Sequence, residues 1–254
     1  MAKSIGNNVS LKVSIDILQA VCWLRAVYNN AIEAWRPVEL SSVFGWQAQS
    51  DFDNDGLGIA TERGDVIGAW ACFHIPDIFV EVDWIEGHEM SDEAVARVAW
   101  AFARHGIALH IDRGEMGGGT EVPHENPLTD LRFNDDAWSV PDINNPNTIY
   151  GIYFTDNRHH IFHYAFFCLD SEHDTFSWEN WGMGAHPGDS FYIEDSDMND
   201  ALMEAVVFMH ELGHNLGLDD NPPYTGTCMK QGATDILDYA AQEWATIDLA
   251  GAIL

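Results

Sequence analysis

The stretch His210-Glu211-Leu212-Gly213-His214-Asn215-Leu216-Gly217-Leu218-Asp219-Asp220 decides how the rest of the chain is read. It continues Val206-Val207-Phe208-Met209, and the run from about Asp200 to Leu216 is apolar on nearly every side. Asp197 or Asn199 can open it as a helix, so a central, buried helix is expected. Residues four apart on a helix share one face and lie about 6 Å apart along the axis. Two imidazoles so placed can converge on one tetrahedral ion and leave room for further ligands. Unpaired imidazoles in so apolar a helix would be costly, which weighs against His210 and His214 as plain polar core residues. Glu211, beside the first histidine, can reach a metal-bound water and serve as its general base. Gly217 falls where the helix must end, because glycine takes the left-handed conformation that turns the chain back. Asp220 then falls where a third ligand can meet the ion. The reading is a Zn2+ site of His210, His214 and Asp220, with Asp219 the rival carboxylate, expected to point away.

HExxHxxGxx(H/D) is the extended zinc signature of the metzincin metallopeptidases, and residues 210–220 resemble it. The resemblance implies a metalloendopeptidase, a hydrolase that cleaves peptide bonds with metal-activated water and Glu211 as base. It also implies a methionine-containing turn under the metal. Met229, in Thr227-Cys228-Met229, looks like that methionine; core filling is the plainer alternative. Upstream, the stretch from Asp77 to Gly119 (IFVEVDWIEGH, a helix, GIALHID and GEMGGG) looks like secreted microbial metzincin-like proteases. These commonly carry an Asp-rich calcium segment before the catalytic domain, and by that resemblance the protein is expected to be extracellular. The similarity spans about residues 51–230. Two positions depart from the commoner pattern. Asp220 stands where histidine is usual, as in a snapalysin-like branch, and its negative charge makes the zinc a weaker Lewis acid. Gln231 stands where many metzincins have tyrosine two residues after the turn methionine; Tyr224 is nearby.

Asp51-Phe-Asp53-Asn-Asp55-Gly56 alternates hard oxygen ligands, with Glu62 at loop position twelve. This spacing suits a Ca2+ loop of thrombospondin-repeat or dockerin type, in which Gly56 allows the sharp turn and Glu62 binds through both oxygens. Position eight is Gly58 and no EF-hand helix pair is evident; a solvated acidic turn is the alternative.

Acidity runs through the whole chain: 41 acidic residues against 11 basic, a formal net charge of −30. Such a surface repels nucleic acid and anionic membranes, so neither is expected as a partner. It also opposes folding by self-repulsion unless salt screens it, which reads as adaptation to high salt. No apolar run reaches the roughly 20 residues of a membrane helix. Met1–Leu11 is polar and does not read as a signal peptide. Cys22, Cys72, Cys168 and Cys228 form no close metal-binding pair, and either two disulfides or free buried thiols would suit them.

Periodicity supplies the remaining expectations: helices within 11–35, a buried strand over Ile78–Ile85, a helix capped by Ser91 and ended by Gly106, and a strand over Ile107–Ile111. That strand–helix–strand run predicts a parallel pair. Further strands are expected at Tyr150–Phe154, Ile161–Leu169 and Ser190–Ile193, with Asp156-Asn157-Arg158 as a turn. A last helix is expected from about Thr234 to Leu249. His159, His160 and His163 could hold a second zinc, although an edge hairpin explains them more simply. The expected architecture is α/β: a metzincin-like zincin with a twisted mixed sheet of four to five strands, two main helices and a small irregular C-terminal subdomain. Residues 1–50 form an N-terminal helical segment, 51–73 an Asp-rich loop and 74–254 the catalytic domain in this reading. The chain is expected to act as a monomer on protein or peptide substrates held along a sheet edge. Two rival functions stay open: a zinc-bound but catalytically silent binding domain, and a calcium-stabilised structural module with a fortuitous HExxH.

Overall fold

The computed structural model describes residues 76–123, 149–154, 158–159, 161–168, 181–194, 198, 200–247 and 249. The expected helices within 11–35, the calcium loop at Asp51, Asp53, Asp55 and Glu62, and the divisions at 50 and 73 lie outside them, as do Cys22, Cys72 and His160.

β1 (Asp77–Ile85) is buried along its whole length, as its β-branched and aromatic residues predict. α1 (Asp92–Ala103) starts at Ser91, whose hydroxyl accepts from the Ala94 amide, with Asp92 and Glu93 in its first turn. Gly106 ends the turn at φ +78°. β2 (Ala108–Asp112) then pairs parallel with β1, Asp77 opposite Ala108 through Glu81 opposite Asp112. The expected parallel unit is therefore present, as βαβ crossovers require.

β3 (Glu121–Val122) pairs parallel with the end of β1. β4 (Phe162–Cys168) lies parallel on the other side of β1, and β6 (Ser190–Glu194) parallel to β4. β5 (Gly182–Gly184) runs antiparallel to β6 and ends the sheet, in the order β2-β1-β4-β6-β5. Among the described residues the sheet is mixed and six-stranded, against the four or five strands expected; β3 and β5, of two and three residues, are too short to leave a periodic signal. The two main helices are α1 and α3 (Ala201–Asn215). The α/β class is thus as read.

Two local expectations are corrected. Residues 150–154 are not a strand: α2 spans Ile149–Tyr153. Tyr150 and Phe154 share a helical face, with the Phe154 amide bonded to the Tyr150 carbonyl, while Ile152 is exposed. A strand would have placed all three on one face. Nor does a helix run from Thr234 to Leu249; only α4 (Ala241–Trp244) forms. The backbone before it bonds elsewhere, the Asp238 carbonyl accepting from the Cys228 amide. The Glu243 carboxylate accepts from the Ala240 amide and starts a new turn there.

Side chains alternate across the sheet. Ile78, Val80, Val82, Ala165, Phe167, Phe191 and Ile193 pack against α1 and α3. Phe79, Ile85, Phe162, Tyr164, Phe166 and Tyr192 form a second layer on the opposite face. Three acids share that second face. Glu81, Asp83 and Asp112 are buried there with Arg158, which is ion-paired to Glu81 and 2.5 Å from Asp112. Asp112 also accepts from the Gly114, Met116 and Gly118 amides, curling the loop after β2 around one carboxylate. Asp83 accepts from the Thr120 amide and the Tyr164 hydroxyl.

Candidate metal centre

Asp200 caps α3, its carboxylate accepting from the Leu202 and Met203 amides at 2.9 Å each. The helix continues through Asn215, so the cap is Asp200 rather than either residue expected. It ends in a Schellman turn: the Gly217 amide bonds the His214 carbonyl at 2.9 Å, the Leu218 amide bonds the Gly213 carbonyl at 2.9 Å, and Gly217 sits at φ +84°. This turn explains the spacing of the motif. It brings the Leu218 carbonyl back over His214 and delivers Asp220 to the same face.

His210, His214 and Asp220 converge, with ligand atoms all within 4.8 Å of one another, and among the described residues no other such group of three forms. Asp220 Oδ1 lies 3.3 Å from His210 Nε2 and 3.6 Å from His214 Nε2. Zinc bonds of about 2.0–2.1 Å in a tetrahedron set neighbouring ligand atoms roughly 3.3 Å apart, so these separations suit one ion. The other nitrogens are committed. His210 Nδ1 donates to the Cys228 carbonyl at 2.7 Å and His214 Nδ1 to the Leu218 carbonyl at 2.9 Å. Both Nε2 atoms then face the centre. Asp219 stands outside the group, 3.4 Å from His186.

The charges suit metal uptake. Burial pulls the His210 imidazolium down, but the hydrogen bond to Asp220 and the Glu211 charge outweigh it and raise the group to about 9. Burial lowers His214, assisted by the charge of His210. The hydrogen bond to His210 depresses Asp220. An ion would take the place of the proton that His210 and Asp220 share.

Glu211 is buried beside this group. Desolvation raises its carboxyl to about 7; the charge of His210 and the Gly184 backbone oppose the shift. A base poised near neutrality is what general-base chemistry on water needs. β5 lies directly on it. A Cβ at Gly182 would meet Glu211 Cγ at 2.8 Å, and one at Gly184 would meet the Glu211 carbonyl at 2.7 Å. The Gly-Met-Gly spacing of two sets both glycines on one strand face, the signal by which sequence could have found this contact.

Met229 is fully buried under the helix, and a Cβ at Gly213 would fall 2.5 Å from its sulfur. The glycine inside the motif is thus the space Met229 occupies. Tyr239, which sequence reading did not single out, donates to the Met209 carbonyl at 2.5 Å and braces the helix from the same side. Another unforeseen neighbour is His186, whose ring centroid lies 5.8 Å from that of His214. The suggested second site does not form from the described residues. His159 bonds Tyr150 and the Phe154 carbonyl, whereas His163 faces Asn215 on the other side of β4. Cys168 and Cys228 are buried, and the Cys168 thiol donates to the Ile193 carbonyl at 3.4 Å.

No protein-family model matches the chain, and no curated protein matches it. Among solved structures, archaemetzincin from Methanopyrus kandleri is similar over 66% of this chain and 92% of its own, with a TM-score of 0.42 and 11% identity. Metalloproteinase-II from Bacteroides fragilis is similar over 69% of this chain, with a TM-score of 0.43 and 12% identity. The chain spans about half the length of that second protein, 53%.

Proposed function

We propose that the protein is a zinc-dependent endopeptidase in which His210, His214 and Asp220 hold the metal and Glu211 is the general base. The observation that carries this reading is the convergence of two Nε2 atoms and one carboxylate oxygen beside a buried glutamate. Zinc, when bound, lowers the pKa of a water and polarises the scissile carbonyl. The rest falls to the chain's own groups. The Cys228 and Leu218 carbonyls keep each Nδ1 protonated and each Nε2 free to ligate. Glu211 takes the proton of the attacking water and gives it to the leaving amine; with its carboxyl near 7, one residue can do both. β5 has no neighbour beyond it in the described sheet, so its outer edge offers backbone groups to an extended peptide. Met229 fills the space under the helix and keeps the two histidines in register.

The silent-domain alternative has no use for a carboxylate held near neutrality beside the metal group. Glu211→Gln separates the two. The variant should keep one zinc per chain and an unchanged melting temperature, yet lose about 10²- to 10⁴-fold in peptide turnover. Turnover near the wild-type rate in a zinc-loaded Glu211→Gln protein would remove Glu211 from the mechanism.

A further inference from the structure

Asn215 directly follows the second histidine, and the zinc chemistry above has no use for its side chain. It is fully buried. Its Nδ2 donates to the Ala185 carbonyl and to the Ser190 carbonyl, each at 2.9 Å. Its Oδ1 faces His163 Nδ1 at 3.2 Å. Its own carbonyl accepts from the Gly188 amide at 3.3 Å. One residue of α3 therefore grips both ends and the middle of the hairpin that joins β5 to β6. The ends are also joined to each other, the Ala185 amide bonding the Ser190 carbonyl at 3.0 Å.

The two strands of this hairpin differ in how they are held. β6 is fixed in the sheet by five parallel pairs with β4. Among the described residues β5 has three pairs, all with β6, and ladders this short are weak by themselves. Yet Gly184, the residue before Ala185, lies on the Glu211 carbonyl and the His214 side chain with no room for a methyl group. A shift of β5 by a fraction of a residue would change what covers Glu211 and where the open edge stands. His163 completes the hold: burial depresses its imidazolium to about 4, so the ring is neutral and can donate to Asn215 Oδ1 without bringing in a charge.

We infer that Asn215 is a positioning residue: it clamps the β5–β6 hairpin to the C-terminal end of α3 and so sets the open edge of β5 against Glu211, the edge along which peptide substrates are aligned. The inference rests on the peptidase reading for its consequence but not for its geometry. Asn215 makes no hydrogen bond to His210, His214 or Asp220, so its loss should spare the metal. Asn215→Asp keeps the shape and an acceptor for His163 while setting a carboxylate against two carbonyls. Asn215→Ser keeps a single donor on a shorter arm and serves the same comparison if the aspartate variant does not fold.

The test has two arms on zinc-loaded full-length protein. Hydrogen exchange should quicken by about tenfold or more at amides 181–190 in the variant, with amides of α3 and β4 unchanged. On peptides of about six residues, which can pair along β5, KM should rise by about tenfold while kcat changes less. On a blocked dipeptide amide, too short to pair, kcat/KM should stay within about threefold of wild type. Exchange at 181–190 as slow as in the wild type overturns the clamp. Equal losses on long and short substrates, with quickened exchange, leave a structural bond and overturn the role in alignment. If zinc-loaded wild type cleaves neither substrate, the peptidase reading fails instead, and the exchange arm alone decides whether Asn215 holds the hairpin.

Discussion

Asp220 brings to the metal group a charge that a histidine in its place would not. It also makes the metal-free site a proton trap, because His210 is raised to about 9 by this neighbour. A group so raised is protonated at neutral pH, and zinc must displace that proton. Zinc uptake at pH 7 should therefore release close to one proton per site, and affinity should climb with pH until about 9. Calorimetry in two buffers of different ionisation heat measures the release; a value near zero would contradict the shared proton. Asp220→Ala should weaken zinc binding by about a hundredfold or more, while Asp219→Ala, at a residue outside the group, should leave it unchanged. Equal effects of the two substitutions would remove Asp220 from the ligand set. At this scale the convergence of His210, His214 and Asp220 beside Glu211 was legible, because helical spacing and a glycine stop are local rules. Asn215, Tyr239 and His186 were not, because their partners lie 25 to 52 residues away.

β5 is the element on which the proposed chemistry depends most and of which sequence said least. Three residues leave no periodic signal, and two of them are glycines, ordinarily a mark of a loop. The glycines are needed for approach: Gly182 has the Tyr192 carbonyl 2.7 Å and Glu211 Cγ 2.8 Å from where a Cβ would stand. Both the sheet and the general base press on that point. Gly182→Ala should push β5 away from α3 and displace the Glu211 carboxylate. A loss of about tenfold to a hundredfold in kcat, with zinc content unchanged, is expected from a misplacement near 1 Å. Full activity in Gly182→Ala would show that β5 does not confine Glu211. The long elements β1, α1, β2, β4 and α3 were read nearly to the residue. Segments 150–154 and 234–249 were misread, since their apolar residues fit either period and the groups that arbitrate, the Tyr164 ring against Tyr150 and Phe154 and the Cys228 amide on the Asp238 carbonyl, come from other parts of the chain.

Charge acts on the whole molecule twice, on the surface and inside. With a formal net charge of −30, carboxylates repel one another across the surface, and screening should relieve this. The melting temperature should rise from low salt to molar NaCl or KCl; a flat response would sink the reading of salt adaptation. Inside, Glu81 and Asp112 share one guanidinium, and Asp83 is buried on the same sheet face. Desolvation raises Glu81 to about 7 and Asp83 to about 6, against the attraction of Arg158 for the first and the Tyr164 hydrogen bond for the second. Raised carboxyls hold protons that the unfolded chain has released. Their contribution to stability is full below about pH 4 and is lost as pH rises through 6 to 7. In molar salt, which mutes the surface, stability should fall between pH 5 and 7.5, and Asp83→Asn should flatten that slope. An unchanged slope would mean that Asp83 is already ionised in the folded protein.

These interior acids also mark where sequence stops and structure begins. By itself the sequence determined the grouping of His210, His214 and Asp220, the α/β class, the parallel unit from 77 to 112 and the acidity, since each follows from spacing or composition within a short window. The tertiary structure decided that β5 covers Glu211, that Met229 fills the space left by Gly213, and that Glu81 and Asp112 meet Arg158. Those contacts join residues far apart in the chain, and they depend on which sheet face and which register each side chain is given. Strand pairing sets both, and pairing is a property of the assembled sheet rather than of any one segment.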